Sequence, residues 1–210
     1  MTFPDAYIIG PLLSQFDSDL LVAESPDLPL VVAVDEGIDR SMELELVPDI
    51  AVGDFDSVSA AGLSWIEEYG DTIKVFQAER EKDFSDLDLA LRICRDKGIA
   101  RAMLFGFIGG KLDHQLAVLG VCARYAPDFA ITLNDADETI VLITSGLSTE
   151  IEAGREFSVM ALESVASVSI MNAFYPLDHH SLKPLSDLGL SNIALKDCVV
   201  TVHEGVAAII

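Results

Sequence analysis

Carboxylates recur at particular places in this chain. "AVGDFDS" puts Asp54 and Asp56 two residues apart, after a stretch whose Val47, Ile50, Ala51 and Val52 could fill a buried strand and which ends at Gly53. "VVAVDEG" ends another apolar run at Asp35, "EKDFSDLD" places Asp83 and Asp86 where a loop enters a helical pattern, and "GFIGGKLDH" reaches Asp113 at the start of a further helix. Each acid alone has an ordinary explanation. Ser85 with Asp88 fits a capping box, and Asp83 and Asp86 suit a positive helix end. Asp35 alone reads as a loop acid, and Gly109-Gly110 as a tight turn. Together they form a pattern, because all six acids follow or approach the carboxyl end of an expected strand. Converging carboxylates repel one another unless something neutralises them. A set of oxygens without His or Cys points to Mg²⁺ rather than Zn²⁺, held by carboxylates and by substrate phosphates. In "GFIGGKLDH" a glycine-rich turn, Lys111 and a helix start would suit a phosphate. The spacing is neither GxxxxGK[ST] nor GxGxxG.

Acids can converge only if the elements carrying them share an edge. Short β-branched runs occur at "LPLVVAVDE", "PDIAVGDFD", "DTIKVFQAE", "RAMLFGF" and "DFAITLND". Helical periods lie between several of them: Leu87, Ala90, Leu91 and Cys94 share one face, and Leu112, Leu116, Leu119 and Ala123 share another. Alternating strand and helix predicts a mostly parallel sheet covered on both faces, with ligands bound outside the strand carboxyl ends. From Glu138 onward only strands are expected: "ETIVLIT", "STEIEA", "EFSVMAL", "ASVSIM", "LSNIAL", "DCVVTVH" and "VAAII". The expected fold is therefore a three-layer α/β/α domain over residues 1–137 and a small β-sandwich over 138–210. "YPLDHHSLKPLSDLG" reads as the one long loop.

Composition limits the partners. Half the chain is hydrophobic, enough for a core, and the formal net charge is -22. Such a surface repels nucleic acid and anionic membranes, so neither is expected as a partner. An anionic nucleotide would need a bridging cation. Three cysteines, Cys94, Cys122 and Cys198, lie far apart in apolar surroundings and read as buried free thiols. The beginning "MTFPDAYIIGPLLSQF" lacks a basic n-region, and no apolar stretch reaches spanning length. A cytoplasmic location is the expectation.

In order, "VDEG", "PDIAVGDFDS", "EKDFSD" and "GFIGGKLDH" resemble the motif series of thiamin pyrophosphokinases: DGG, PD..GDFDS, KD.TD and GGR.DH. "FYPL", "GLSN" and "VTVHEG" resemble that family's later segments, so the likeness runs from about Val32 to Ile210. It implies an α/β/α nucleotide-binding domain, a β-sandwich that helps bind thiamin, and a homodimer with active sites between subunits. It also implies Mg²⁺-dependent transfer of pyrophosphoryl from ATP to thiamin, leaving AMP.

By that likeness Asp54, Asp56 and Asp83 hold the metal, with Asp86 beside them. Lys111 meets phosphate, and Asp113 orients the nucleophile or accepts its proton. Asp35, Gly37, Gly109, Gly110 and His114 line the nucleotide, and Ser191 and Asn192 touch the thiamin. The chain departs from the pattern at Glu36, at Lys111 where Arg is usual, and at Val118, Ile193 and Phe174. The last two bear on the acceptor alcohol. Two further readings remain: the same chemistry on another primary alcohol, and a binding module for nucleotide or thiamin diphosphate that no longer turns over.

Overall fold

The computed structural model describes residues 4–13, 29–135, 138–162 and 166–210. The chain divides into two compact units, Met1–Val121 with Ile131–Thr139, and Cys122–Ala130 with Ile140–Ile210. The carboxyl end of the last helix thus groups with the strand-rich part of the chain.

In the first unit, β1 (Ala6–Ile9), β2 (Leu30–Val34), β3 (Ile50–Gly53), β4 (Lys74–Gln77), β5 (Arg101–Phe105) and β6 (Ala130–Asp135) lie in the order β6-β5-β1-β2-β3-β4. The pairs β1–β2, β1–β5, β2–β3 and β3–β4 are parallel. The central strands are apolar along their whole length because both faces are covered. Edge strand β4 is largely exposed.

Four helices are described: α1 (Gly37–Glu43), α2 (Ala60–Glu68), α3 (Asp86–Asp96) and α4 (Leu112–Tyr125). Serines start two of them. Ser59 Oγ accepts the Gly62 N–H at 3.0 Å and Ser85 Oγ accepts the Asp88 N–H at 3.2 Å, each satisfying an otherwise orphaned donor. The expected apolar face of α3 is buried through Leu87, Ala90, Leu91 and Cys94. That of α4 is not. Leu112 is 69% and Leu116 49% exposed, whereas Val121, Cys122, Ala123 and Tyr125 are buried. Periodicity identified the helix but not the length of it that packs.

The second unit holds two sheets. One places β14 (Val206–Ile209) between β10 (Val159–Ala161) and β7 (Glu138–Thr144), both antiparallel to it. β7 begins in the first unit. The other sheet has the order β12-β11-β13-β8, formed by β12 (Leu177–Leu182), β11 (Ala166–Ala173), β13 (Asn192–Glu204) and β8 (Leu147–Ile151). The short β9 (Glu156–Phe157) pairs with the start of β13. Ile143, Val159, Ala207 and Ile209 of the first sheet share a core with Val168, Ile170, Cys198, Val200 and Val202 of the second. Alternating inward residues from two sheets make this a sandwich.

Two details correct the sequence reading. "LSNIAL" and "DCVVTVH" are one strand, β13, carried through Asp197 at φ 58°. The expected loop "YPLDHHSLKPLSDLG" contains β12, an edge strand whose Asp178–Ser181 are exposed. Polar residues hide an edge strand from hydrophobic patterning.

Candidate active site

Of the six acids, Asp35, Asp54 and Asp56 come together where parallel strands end. Asp35 follows β2 and Asp54 follows β3, and these strands are neighbours in register Val34↔Val52. The Asp35 N–H extends the ladder by donating to the Val52 carbonyl at 2.8 Å. A Cβ on Gly53 would stand 3.3 Å from the Asp35 Cα, so glycine there lets the two strand ends approach.

Asp35 (φ 48°) and Phe55 (φ 62°) adopt left-handed backbone that residues with a Cβ rarely take. The turn at Phe55 lets the Asp56 N–H donate to Asp54 Oδ1 at 3.0 Å. The far end of this loop is clasped by α1: Asp39 accepts the Ser59 N–H at 2.9 Å and the Ser59 hydroxyl at 2.5 Å.

One carboxylate oxygen from each of Asp35, Asp54 and Asp56 lies within 4.8 Å of the others. Burial, reinforced by Asp86, Asp54, Asp56 and Glu36, pushes Asp35 up to about 6 from 3.8. Its Oδ1 is buried with no hydrogen-bond partner among the described residues. A buried orphan oxygen within an all-carboxylate set is what a hard divalent cation would satisfy. The donor set therefore fits Mg²⁺.

Asp83 is exposed and lies outside this trio, and Asp35, read as a nucleotide contact, takes its place in it. Asp86, the first residue of α3, accepts from Lys82 Nζ at 2.8 Å. Arg80 reaches Asp56 Oδ2 at 2.9 Å. Gly37 opens α1 two residues after Asp35.

The glycine turn follows β5. Gly106 (φ 75°) has no room for a Cβ against the Leu13 backbone. Asp135, at the end of β6, accepts the Gly106 N–H at 3.0 Å and the Ile108 N–H at 2.9 Å. Both carboxylate oxygens of Asp135 thus brace the loop. Sequence reading missed this residue, although it closes the quoted run "DFAITLND" at a strand carboxyl end like the other acids. Gly109 (φ 103°) and Gly110 (φ 68°) follow, then exposed Lys111, Asp113 and His114.

In the second unit Ser191 (φ 52°) is exposed, and its N–H donates to Ser158 Oγ at 3.1 Å. Asn192 is only 3% exposed. Its Oδ1 accepts the N–H groups of Tyr175 (3.0 Å) and Ile193 (2.9 Å), and its Nδ2 donates to the Tyr175 carbonyl at 2.8 Å. The carboxamide holds the Tyr175 segment in place. Phe174, Tyr175 and Ile193 present exposed side chains.

A family model described as the catalytic domain of thiamin pyrophosphokinase matches residues 25–133, more than half of the chain. The thiamine pyrophosphokinase of Bacillus subtilis (strain 168) is 29% identical over 168 residues, 78% of this chain and 77% of that protein. Thiamine pyrophosphokinase 2 of Arabidopsis thaliana is 30% identical over 102 residues, 46% of this chain and 37% of that protein. Among solved structures, the B. subtilis thiamine pyrophosphokinase superposes with TM-score 0.80 at 24% identity, covering 97% of this chain and 96% of that one, a likeness of fold. The Geobacillus thermodenitrificans thiamin pyrophosphokinase gives TM-score 0.77 at 26% identity, covering 97% and 94%.

Proposed function

The chain belongs to the thiamin pyrophosphokinase family, and we propose that the acidic edge of its parallel sheet is where it transfers pyrophosphoryl from ATP to thiamin, giving thiamin diphosphate and AMP. The observation that carries this reading is the Asp35, Asp54, Asp56 trio inside the matched region, with its unpartnered buried oxygen.

Asp54 and Asp56 would hold Mg²⁺, with Asp35 supplying the orphan oxygen and Asp83 the remaining expected ligand. When bound, the ion neutralises charge on the transferring phosphoryl oxygens. The chain's own residues do the rest. Gly109, Gly110 and the start of α4 offer backbone N–H groups to phosphate. Lys111 adds a point charge without the bidentate fork of Arg. Asp86 stands beside the trio, Gly37 lets the backbone near Asp35 approach the nucleotide, and His114 contacts it. The thiamin hydroxyl oxygen forms a bond to the β-phosphorus as the bond to the α-phosphate oxygen breaks. AMP leaves with that bond's electrons, and Asp113 orients the hydroxyl or takes its proton. Ser191 contacts thiamin, and Asn192 supports that contact by fixing the backbone beside it.

The same proposal assigns nucleotide binding to residues 1–137 and thiamin binding to 138–210, in a homodimer with active sites between subunits. It also places the protein in a reducing cytoplasm, in keeping with its three buried free cysteines. Among the described residues, no helix is long and apolar enough to cross a membrane.

The deciding experiment measures AMP release from ATP and Mg²⁺ with and without thiamin. Thiamin-dependent AMP is expected. AMP released only with a different primary alcohol would keep the chemistry and change the acceptor. Nucleotide binding with no AMP under any alcohol would make the chain a binding module.

A further inference from the structure

The first unit has a second concave feature, at the opposite ends of its strands from the acids. Met42, Glu45, Val47, Trp65, Glu68 and Tyr69 line an open cavity of about 550 Å³. Val47 precedes β3 and Tyr69 precedes β4, so the cavity lies at the amino-terminal ends of these strands, and β3 runs from it towards Asp54. Small-molecule sites span roughly 300–1,000 Å³, so the space suits one small molecule.

Its walls attract positive charge in three ways. Trp65 and Tyr69, one helical turn apart, hold their rings 5.5 Å apart at an angle of 58°. The faces of such rings carry the negative part of a quadrupole. Trp65 and Val47 pack on the core of Ile38, Ala51, Ile66 and Ile73, which fixes this wall. Exposed Glu45 and Glu68 add two carboxylates, and neither forms an ion pair among the described residues. Both α1 and α2 end here, and helix carboxyl ends are negative. Arg40, the base in the last turn of α1, is engaged by Glu43 at 2.8 Å and by the Pro11 carbonyl at 3.1 Å, and α2 has no basic residue in its last turn. Glu45 (φ 55°) sits in the turn that closes α1: its N–H donates to the Met42 carbonyl at 3.0 Å, and the Leu46 N–H to the Ser41 carbonyl at 2.9 Å. Glycine is the usual residue at such a turn. Here a carboxylate borders the cavity instead.

We infer that this cavity binds a small organic cation, an ammonium bearing methyl groups or a ring, with its charge against the Trp65 and Tyr69 rings and facing the Glu45 and Glu68 carboxylates. Mg²⁺ keeps its water and seeks oxygen ligands, whereas a weakly hydrated organic cation gains from aromatic faces as well as from charge. Such binding needs neither the metal nor the nucleotide of the acidic edge.

Trp65 is the one tryptophan of the chain, so indole emission reports on this cavity. The full chain, without metal or nucleotide, is titrated at constant ionic strength with choline, with benzyltrimethylammonium and with the uncharged tert-butyl isostere of choline. Both cations should change Trp65 emission saturably, and calorimetry should give the same midpoints. The neutral isostere should do neither over that range. Glu45→Gln/Glu68→Gln should weaken choline binding about tenfold, and Tyr69→Leu about fivefold. Asp54→Asn should bind choline as wild type does.

No saturable binding of either cation overturns the proposal. Equal binding of the neutral isostere does so too, because the cavity would then be an apolar cleft that ignores charge. Binding that survives Glu45→Gln/Glu68→Gln but is lost in Asp54→Asn would put the cation at the acidic edge and overturn it as well. Glu45 and Glu68 are exposed, so their amide variants keep the fold. If Tyr69→Leu does not fold, the double amide variant decides.

Discussion

The two units treat their polar side chains in opposite ways. In the α/β unit, carboxylates crowd a strand edge, and Asp35 keeps a buried oxygen without a partner among the described residues. Among the described residues of the β unit, every buried polar side-chain atom has a partner. Asn192 uses both ends of its carboxamide on the backbone. Buried Ser169 Oγ accepts the His179 N–H at 2.9 Å and lies 2.8 Å from His203 Nε2, whose ring stacks on that of His179 at 3.8 Å. An unsatisfied buried charge costs free energy, and it persists where a ligand relieves it. Satisfied polar groups specify the architecture. By this contrast, substitutions in the acidic edge should change chemistry more than stability, and substitutions in the β unit's polar network the reverse.

The sharpest break of that contrast would come from Asp54. Asp54→Asn should lower turnover about 100-fold or more while the thermal midpoint stays or rises, because a repelling charge has gone. Full activity in this variant would remove Asp54 from the site. The counterpart is Asn192→Ala, which removes the buried carboxamide that the half-buried bonds to the Tyr175 N–H and carbonyl depend on. A loss of about 1–3 kcal/mol is expected from the denaturation midpoint. Destabilisation within error of zero would mean that water replaces the carboxamide.

Asp35 sharpens the comparison through pH. Its proton is held more tightly in the folded protein (about 6) than at the ordinary value of 3.8. Its contribution to metal-free stability is therefore greatest below about pH 4 and is lost as pH rises to about 6. Above that pH the folded state carries the cost of the buried charge. Metal-free Asp35→Asn should melt a few degrees higher than wild type at pH 7, with the gap closing toward pH 4. Identical curves for the two proteins would show that Asp35 is not held under strain. Metal should bind more tightly as pH rises through 6, because the proton competes for the same oxygen.

Ser191→Ala should raise the KM for thiamin several-fold with kcat little changed, and an unchanged KM would take Ser191 out of the site. The smallest effect is expected at the thiols. Burial pushes Cys94 and Cys122 up to about 12, and Cys198 upward as well. A thiol-specific colour reagent should find almost no reactive cysteine until denaturant is added. Prompt native labelling would mean that one of these segments opens readily.

Much of the fold was legible because its signals are local. The apolar runs of β2, β3, β5 and β7 and the face of α3 need only a window of a few residues. The failures were local signals contradicted by context. β12 has a polar surface because it lies at an edge, and the apolar stripe of α4 packs only near its carboxyl end. In the site, the meeting of Asp35, Asp54 and Asp56 at one edge followed from the parallel order of the strands. The sequence alone did not single out these three. Asp35 joins Asp54 and Asp56 because β2 and β3 are neighbours, Gly53 permits the approach, and Asp35 and Phe55 turn with positive φ. Asp83 shares a motif with Asp86 but comes six residues after β4 and stays in solvent.

By itself the sequence determined the types of most elements, the change from alternating strand and helix to strands alone near Glu138, the family motifs and the excess of negative charge. These depend on residue type and short-range spacing, which folding leaves unchanged. Tertiary structure alone decided that Asp35 keeps an orphan oxygen, that Asp135 braces the glycine turn, that Asn192 is spent on the Tyr175 backbone and that Lys82 is largely covered beside Asp86. Each of these depends on burial or on which strands and loops become neighbours. Desolvation and close approach exist only once the chain has folded.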